Sequence, residues 1–212
     1  MEANMNTELG LLTPSEAAVV AGVSVRDVNR AIDEGILPKR FYTSVGGRRV
    51  RATGCTYVRF YFHAAKALTA DERSHVIRSL SERRVASEAD AWTVRDGFLT
   101  VNLQEFATDT EDRHSKLAEA REMVTEDAAV LGGTPVLRGT RIPVYDVAAS
   151  IAAGIPVERI RAAYPGLDDR SIELAALYAE ATPPRGRPRR LTAVEPLLTV
   201  VSETKVARRR RT

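Results

Sequence analysis

Two arginines on either side of a short turn have a spacing that could hold an anion. They are Arg138 and Arg141, within the sequence GGTPVLRGTRIPV at residues 132–144. Gly139 can adopt the positive φ required at the first position of a two-residue hairpin loop, so residues 136–138 are predicted to pair with residues 141–144. The two arginines would then face each other, which is favourable only if an acidic group or a phosphate lies between them. A solvated hairpin tip is the alternative.

The residue types that catalysis or metal binding requires are not grouped in this sequence. His63, His75 and His114 are far apart, and with Cys55 they do not have the spacing of metal ligands. Both Gly-Gly pairs lack the neighbouring residues of a phosphate-binding loop. We therefore expect neither an enzyme nor a bound metal or cofactor.

The charged residues are segregated along the chain, although the net charge is only +3. Residues 35–70 carry seven Lys or Arg and no acidic residue, and residues 183–212 carry nine basic and two acidic residues. Such blocks are typical of a phosphate-binding surface and of an arm for an acidic partner.

No apolar run is long enough to span a membrane, and residues 1–10 do not resemble an export signal. Cys55 has no disulfide partner, so we expect a cytoplasmic protein.

The N-terminal part has the pattern of a helix-turn-helix. A capping box at residues 13–16 begins a short helix, Gly22 ends it, and Ser24 caps a second helix over residues 25–34. The second helix is the candidate groove reader. Over about thirty residues this pattern resembles the start of MerR-type and excisionase-type domains.

Side chains suited to reading DNA lie on the second predicted helix. Arg26, Asn29 and Arg30 project away from its apolar face, and Arg and Asn can form paired hydrogen bonds with guanine and adenine, respectively. Ser24, at the start of this helix, completes this set of candidate DNA contacts.

Residues 39–62 are predicted to form a β-hairpin wing around Gly46-Gly47. Its Arg48, Arg49 and Arg51 would contact DNA phosphates and fix the position of the protein along the duplex without recognising bases. A solvated edge strand protected by its charges is the alternative. The aromatic run that follows is interpreted as a strand buried in the sheet, not as a platform for single-stranded nucleic acid. It comprises Tyr57, Phe60, Tyr61 and Phe62.

The remaining pattern completes an α+β, mostly α fold. A helix over residues 69–84, a second hairpin around Asp96-Gly97 and a connecting helix over residues 109–127 follow the wing. A C-terminal β-hairpin then leads into a three-helix helix-turn-helix unit, with helices at residues 144–153, 157–164 and 169–181. We divide the chain into a winged helix-turn-helix domain with a small antiparallel sheet (1–108), a connecting helix (109–130), the hairpin and three helices (131–182), and a basic extended tail (183–212).

Residues 125–182 resemble the signature of a VapB-like antitoxin family. The Gly-Gly-Thr-Pro start, the Arg-Gly-Thr-Arg-Ile-Pro-Val core and the breaks at residues 154–156 and 164–165 occur in order. The resemblance implies a homodimeric helix-turn-helix protein that binds a ribonuclease toxin and represses its own operon. It also implies DNA contacts from the second unit, to which Arg138 and Arg141 would contribute.

Two observations modify the family expectation. Residues 145–182 carry six acidic and three basic residues, which repels DNA on average, so we expect the N-terminal unit to be the main reader. The last helix has more apolar surface than a short helix needs, so we interpret the second unit chiefly as a dimerisation module. The residues that supply this surface are Ile172, Leu174, Ala175, Leu177 and Tyr178.

The tail after Pro183-Pro184 is basic and extended in composition. The resemblance implies that it wraps a PIN-type toxin, with an apolar segment in a groove and an arginine near the carboxylates that hold the toxin's metal. A tail that contacts nucleic acid without specificity is the alternative. The candidate toxin-binding residues are Arg189, Arg190, Leu197, Leu198, Val200, Val201, Arg208 and Arg209.

Three hypotheses from different classes follow from the sequence. The leading one is an antitoxin and autorepressor whose partners are a ribonuclease toxin, double-stranded operator DNA and a second copy of the chain. The second is a stand-alone, ligand-responsive regulator of MerR type, with an effector pocket formed by the middle sheet. The third, a nuclease or other enzyme, is disfavoured because no nucleophile has a partner.

Overall fold

The computed structural model describes residues 10–82, 91–95 and 97–184. Their fold is α+β and mostly helical, as the sequence predicted, with small antiparallel sheets. The helices are α1 (Pro14–Ala21), α2 (Val25–Asp33), α3 (Ala52–His63), α4 (Ala70–Glu82), α5 (Gln104–Glu122), α6 (Val144–Ala152), α7 (Val157–Ala163) and α8 (Asp169–Ala181). The strands are β1 (Leu11–Leu12), β2 (Tyr42–Thr43), β3 (Arg49–Arg51), β4 (Ala91–Val94), β5 (Leu99–Asn102), β6 (Val124–Thr125) and β7 (Val136–Leu137).

The ends of α1 and α2 confirm the predicted capping. Thr13 and Glu16 form a reciprocal capping box at the start of α1, and Ser24 and Asp27 do the same for α2. Gly22 ends α1 in the left-handed conformation, with a φ of 64°. The two helices are therefore joined by a turn of three residues.

A three-stranded antiparallel sheet, in the order β1-β3-β2, combines the strand before α1 with the two strands that follow α2. Val50 pairs with Tyr42 on one side and with Leu12 on the other. The predicted hairpin around Gly46-Gly47 is present, but it ends at Arg51, well short of residue 62.

The prediction that the aromatic run is a strand is wrong, because Tyr57, Phe60, Tyr61 and Phe62 lie on α3. This helix packs against α1 and α2 and also against α4 and α5. A helix covered on several sides carries apolar residues around most of its circumference, so its sequence lacks the one-sided period of a surface helix. The same absence of polar positions is typical of a strand buried on both faces.

The middle of the chain agrees with the sequence in its elements and differs in their bounds. The predicted second hairpin is formed by β4 and β5, and it packs against α4. The connecting helix α5 begins at Gln104 and ends at Glu122, and β6 occupies the positions where the prediction had continued the helix. Residues 185–212 of the predicted tail (183–212), with all eight candidate toxin contacts, lie outside the described residues.

Two hydrophobic cores share α5 and α8. On α5, Leu117 belongs to the first core and Ala120 to the second, each fully buried. On α8, Ala181 lies in the first core, while Leu177 packs against both. The N-terminal and C-terminal units are therefore packed together through helices that contribute to both.

The interpretation of the last helix as a source of dimer surface is not supported by its packing. The side chains of Ile172, Leu174, Ala175 and Tyr178 are at least 93 % buried within the single chain. They are covered by α5 and α6, which the sequence alone could not place beside α8.

No helix of the described residues is both long and apolar enough to cross a membrane.

Candidate functional site

The exposed side of α2 presents the predicted DNA-reading residues. Val28, Ala31 and Ile32 anchor the opposite side of the helix in the core. Arg26 and Arg30 are exposed and Asn29 is half-buried. The amphipathic pattern therefore brings the three predicted side chains to one accessible surface, which we call the α2 polar face (Arg26, Asn29 and Arg30).

Ser24 holds the start of this helix and is engaged as a cap. Its Oγ accepts a hydrogen bond from the backbone N–H of Asp27 at 3.1 Å and donates to Oδ2 of Asp27 at 2.7 Å. The hydroxyl thus has both a donor and an acceptor partner within the helix. Its contribution to the face is to fix the first turn from which Arg26 projects.

Arg30 and Arg26 differ in their surroundings. The Nε of Arg30 donates to Glu34 at 2.9 Å, one helical turn away, and its guanidinium lies 6.0 Å from the centroid of the Phe62 ring. The Arg30–Glu34 pair is exposed to solvent, so it can exchange its carboxylate for another acceptor at small cost. Among the described residues, Arg26 has no ion pair.

The β2–β3 hairpin lies beside the α2 polar face and is joined to it by Arg48. The guanidinium of Arg48 donates to Asn29 Oδ1 at 2.9 Å and makes two hydrogen bonds with the carboxylate of Asp33, at 2.6 and 3.1 Å. Arg49 is half-buried, and its guanidinium reaches the carbonyl of Arg48 at 3.4 Å. Arg51 donates to the carbonyl of Arg40 at 2.9 Å.

The turn between α1 and α2 is held by basic side chains from two other helices. Arg59 of α3 donates to the carbonyl of Ala21 at 3.2 Å, and Nε2 of His63 lies 3.1 Å from the carbonyl of Gly22. Arg113 of α5 reaches the carbonyl of Val19 at 3.4 Å. These groups face the C-terminal end of α1, where positive charge is favourable.

Arg59 is a structural residue that the sequence interpretation missed. Its side chain is 13 % exposed and forms an ion pair with Asp109 at 2.6 Å, and its Nε is buried with no partner among the described residues. The signal in the sequence was a charged residue inside an apolar run. That signal was missed because the run was interpreted as a buried strand and the helix was not recognised.

A second ion pair connects α1 to α5. The Glu16 carboxylate forms an ion pair with Arg121 at 2.7 Å and accepts a hydrogen bond from the backbone N–H of Thr13, also at 2.7 Å. Burial would raise the pKa of the Glu16 carboxyl, but the hydrogen bonds from Arg121 and Thr13 hold the pKa below its usual 4.5. The first helix of the pair is thereby fixed at both ends.

The strand register around Arg138 and Arg141 is the predicted one, because the bridge between Val136 and Pro143 belongs to the register that sets Arg138 opposite Arg141, but the turn itself is closed differently. The backbone N–H of Thr140 donates to Leu137, at 2.9 Å, so Arg138 and Gly139 are the central residues and Gly139, with a φ of 75°, is the second of them. The return strand is short: the backbone N–H of Leu137 donates to the carbonyl of Ile142 and that of Val144 to the carbonyl of Pro135, each at 3.0 Å, while the other edge of β7 pairs with β6.

The two arginines of this turn are exposed. The backbone N–H of Arg138 donates to the carbonyl of Met123 at 2.8 Å, so it extends the pairing of β7 with β6 by one residue. Among the described residues, no hydrogen bond or ion pair joins this turn to α2 or to the β2–β3 hairpin.

A cleft of about 650 Å³ lies between the start of α3 and the middle of α5. The sequence did not predict it, since the expected effector pocket was placed in the middle sheet. His114 borders the cleft, and burial together with the nearby Arg121 lowers the pKa of its imidazole. The other lining residues include Arg40, Phe41, Thr53, Thr56, Tyr57, Thr110 and Glu111.

The comparisons with known proteins place the chain in a family. It is 48 % identical over 221 aligned residues to "Uncharacterized protein y4eO" of Sinorhizobium fredii (strain NBRC 101917 / NGR234), and the alignment covers the whole of both chains. The chain belongs to the y4eO family. Residues 124–179 also match the family model described as "Protein of unknown function (DUF433)". No solved structure matches the chain.

The DUF433 match coincides with a structural unit. It begins at β6 and ends within α8, so it contains most of the second hydrophobic core. The helices α1 and α2 and the sheet beside them lie outside the match but inside the alignment with y4eO. The y4eO family therefore combines both units in one chain.

Proposed function

We propose that this protein binds operator DNA as a repressor and is the antitoxin of a type II toxin–antitoxin pair. The observation that carries the DNA-binding part is the α2 polar face, flanked by the basic β2–β3 hairpin. Helices α1 and α2 with their three-residue turn, followed by this hairpin, have the layout of a winged helix-turn-helix. Arg26, Asn29 and Arg30 would reach base edges, and Arg49 and Arg51 would approach phosphates.

The antitoxin part of the proposal is supported by the family resemblance of the C-terminal unit. The DUF433 match covers nearly the same residues as the resemblance to VapB-like antitoxins. In this proposal the tail neutralises a PIN-type ribonuclease, and the chain acts as a homodimer in the cytoplasm. The Arg138–Arg141 turn supplies a second, weaker DNA contact, and the protein itself has no catalytic activity.

The DNA-binding proposal is tested by binding of the purified chain to its own upstream region. Asn29→Ala and Arg30→Ala should weaken binding to particular base pairs by roughly 5- to 150-fold and leave binding to unrelated DNA unchanged. Arg161→Ala is the matched control, because Arg161 is an exposed arginine of the C-terminal unit that pairs with Asp169. Equal binding of all duplexes by the wild type would contradict the proposal.

The antitoxin proposal is tested by co-expression with the adjacent open reading frame. We expect that frame to encode a small ribonuclease that co-purifies with this chain and is harmless only in its presence. Removal of residues 185–212 should preserve operator binding and abolish neutralisation. If the truncated chain still neutralises the toxin, the tail is not the neutralising element; if no neighbouring product is toxic, the antitoxin proposal fails.

A second candidate function, a ligand-responsive regulator of MerR type, is favoured by the cleft. The cleft reaches the first turn of α3, directly after β3, so a bound molecule would contact the element that supports the hairpin. In this case the protein would bind its operator without a partner, and a small molecule would change the affinity. Thr53→Trp, which narrows the cleft at an exposed position, should abolish that response and retain operator binding.

A further inference from the structure

Arg48 has a different environment from the other arginines of the hairpin. Its guanidinium is paired with the carboxylate of Asp33 through two hydrogen bonds, so the two charges neutralise each other locally. Arg49, one residue further on, has a backbone carbonyl as its acceptor and keeps its positive charge unpaired among the described residues. The two neighbours therefore differ in what they can offer to a phosphate.

The third contact of Arg48 fixes the orientation of an amide. A guanidinium only donates hydrogen bonds, so the Asn29 atom that it contacts at 2.9 Å must be the carbonyl oxygen Oδ1. The amide nitrogen Nδ2, with its two hydrogens, is then directed away from Arg48. Without Arg48, the amide of a half-buried Asn29 could rotate and exchange its donor and acceptor sides.

The backbone brings these three side chains together from separate parts of the sequence. Asn29 and Asp33 are four residues apart on α2 and so lie on the same side of the helix. Arg48 follows Gly46 and Gly47, whose φ values of 71° and 109° allow the hairpin loop to turn back towards α2. The arrangement joins the hairpin to the helix that would read DNA.

We propose that Arg48 is a positioning residue that fixes the Asn29 amide for base recognition, held in place by Asp33, and is not a phosphate contact. This inference rests on the proposed DNA-binding function. Asn29 would present Nδ2 as a donor to the acceptor N7 of a purine, and its remaining Oδ1 lone pair could accept from the amino group of adenine. Arg48 thus determines specificity through another residue.

The experiment compares Arg48→Ala with Arg49→Ala, which removes the same charge from the same hairpin. Affinity is measured over a range of salt concentrations for the operator and its single-base variants. Arg48→Ala should lose discrimination at the base pair that Asn29→Ala also affects, by roughly 5- to 150-fold, with little change in the salt dependence. Arg49→Ala should weaken all sequences and reduce the slope of log K against log salt by about 1.

Further variants separate positioning from general stability. The double variant Arg48→Ala/Asn29→Ala should be no worse at that base pair than Asn29→Ala alone, because both act on one contact. Asp33→Ala should reproduce part of the loss of discrimination although it removes negative charge. Arg48→Lys should be intermediate, since an ammonium cannot reproduce the two parallel bonds to Asp33. Additive losses, or a reduced salt slope with unchanged base preference in Arg48→Ala, would overturn the inference.

A measurement on the free protein distinguishes this inference from the proposed function. The side-chain amide resonances of Asn29 in a nitrogen–proton correlation spectrum should shift in Arg48→Ala and remain in place in Arg49→Ala. Unchanged amide resonances in Arg48→Ala would refute the positioning contact, whatever DNA the protein binds. If the resonances shift as expected and the wild type binds no duplex preferentially, the contact is real but the DNA-binding proposal fails, and the recognition role fails with it.

Discussion

Gly54→Ala is expected to destabilise the protein by forcing the hairpin away from α3. Gly54 is the third residue of this helix and is buried. A Cβ placed on it would lie 2.9 Å from the Cβ of Phe41, 3.3 Å from the Phe41 carbonyl oxygen and 3.4 Å from Cγ1 of Val50. The Cβ of Phe41 is attached directly to the main chain and cannot rotate away, so the backbones must separate.

The expected magnitude is the difference between two opposing effects. Overpacking of a tight contact costs about 1–3 kcal/mol. Replacing glycine by alanine inside a helix contributes about 0.5–1 kcal/mol in the stabilising direction. We therefore expect Gly54→Ala to lower the free energy of unfolding by about 1 kcal/mol, within a range of roughly 0–2.5 kcal/mol, against the usual trend for this substitution in a helix.

Urea unfolding followed by circular dichroism measures this change. Gly166→Ala is the matched control, because the space around a Cβ at Gly166 is open to 4 Å and its φ is not in the left-handed region. The control should stabilise the protein by about 0.4–1 kcal/mol through the unfolded state. If Gly54→Ala is more stable than the wild type by about 0.5–1 kcal/mol, as at an open helix position, the close contact between Phe41 and α3 does not exist in solution.

Three further changes test other contacts. The pKa of Glu16 is lower in the folded protein, so its contribution to stability is present above about pH 4.5 and is lost as the pH falls through the folded pKa. Glu16→Gln should therefore reduce the fall in melting temperature at acidic pH, and an unchanged fall would contradict the assignment. Burial raises the pKa of Cys55 to about 12, so a thiol reagent at pH 8 should label it only as the protein unfolds, whereas rapid labelling of the native protein would show an accessible thiol. Arg59→Met should lower the free energy of unfolding by about 1.5–3 kcal/mol in urea titrations, because it removes the hydrogen bonds to Asp109 and Ala21. A loss below about 0.5 kcal/mol, as expected of an exposed substitution, would refute the structural role of Arg59.

The sequence predicted those elements whose limits are set by neighbouring residues. The Thr13–Glu16 capping box and the Ser24 cap lie directly at the helix starts, so both N-terminal helices were placed correctly. The α2 polar face was also predictable, because Val28 and Ile32 define the buried side of the helix. Each of these inferences needs only the period of a helix and the chemistry of its ends.

The sequence failed where the surroundings of an element come from distant parts of the chain. Helix α3 was taken for a strand because four other helices cover it and remove its polar side. The partner of Arg48 was missed because Asp33 lies fifteen residues away and is brought close by the hairpin loop. The apolar residues of α8 were assigned to a second copy because α5 had not been recognised as their cover.

The position of α5 constrains how the two units can influence each other. On one side Arg121 and Arg113 contact α1, and on the other Lys116 and Glu119 form ion pairs with Glu173 and Arg170 of α8, respectively. The two ion pairs with α8 are exposed and individually weak, but α5 also contributes buried side chains to both cores. Separation of the units at α5 would expose apolar surface from each core at once. We therefore expect the two units to move together with α5 as one body, and not about a hinge between two independent domains.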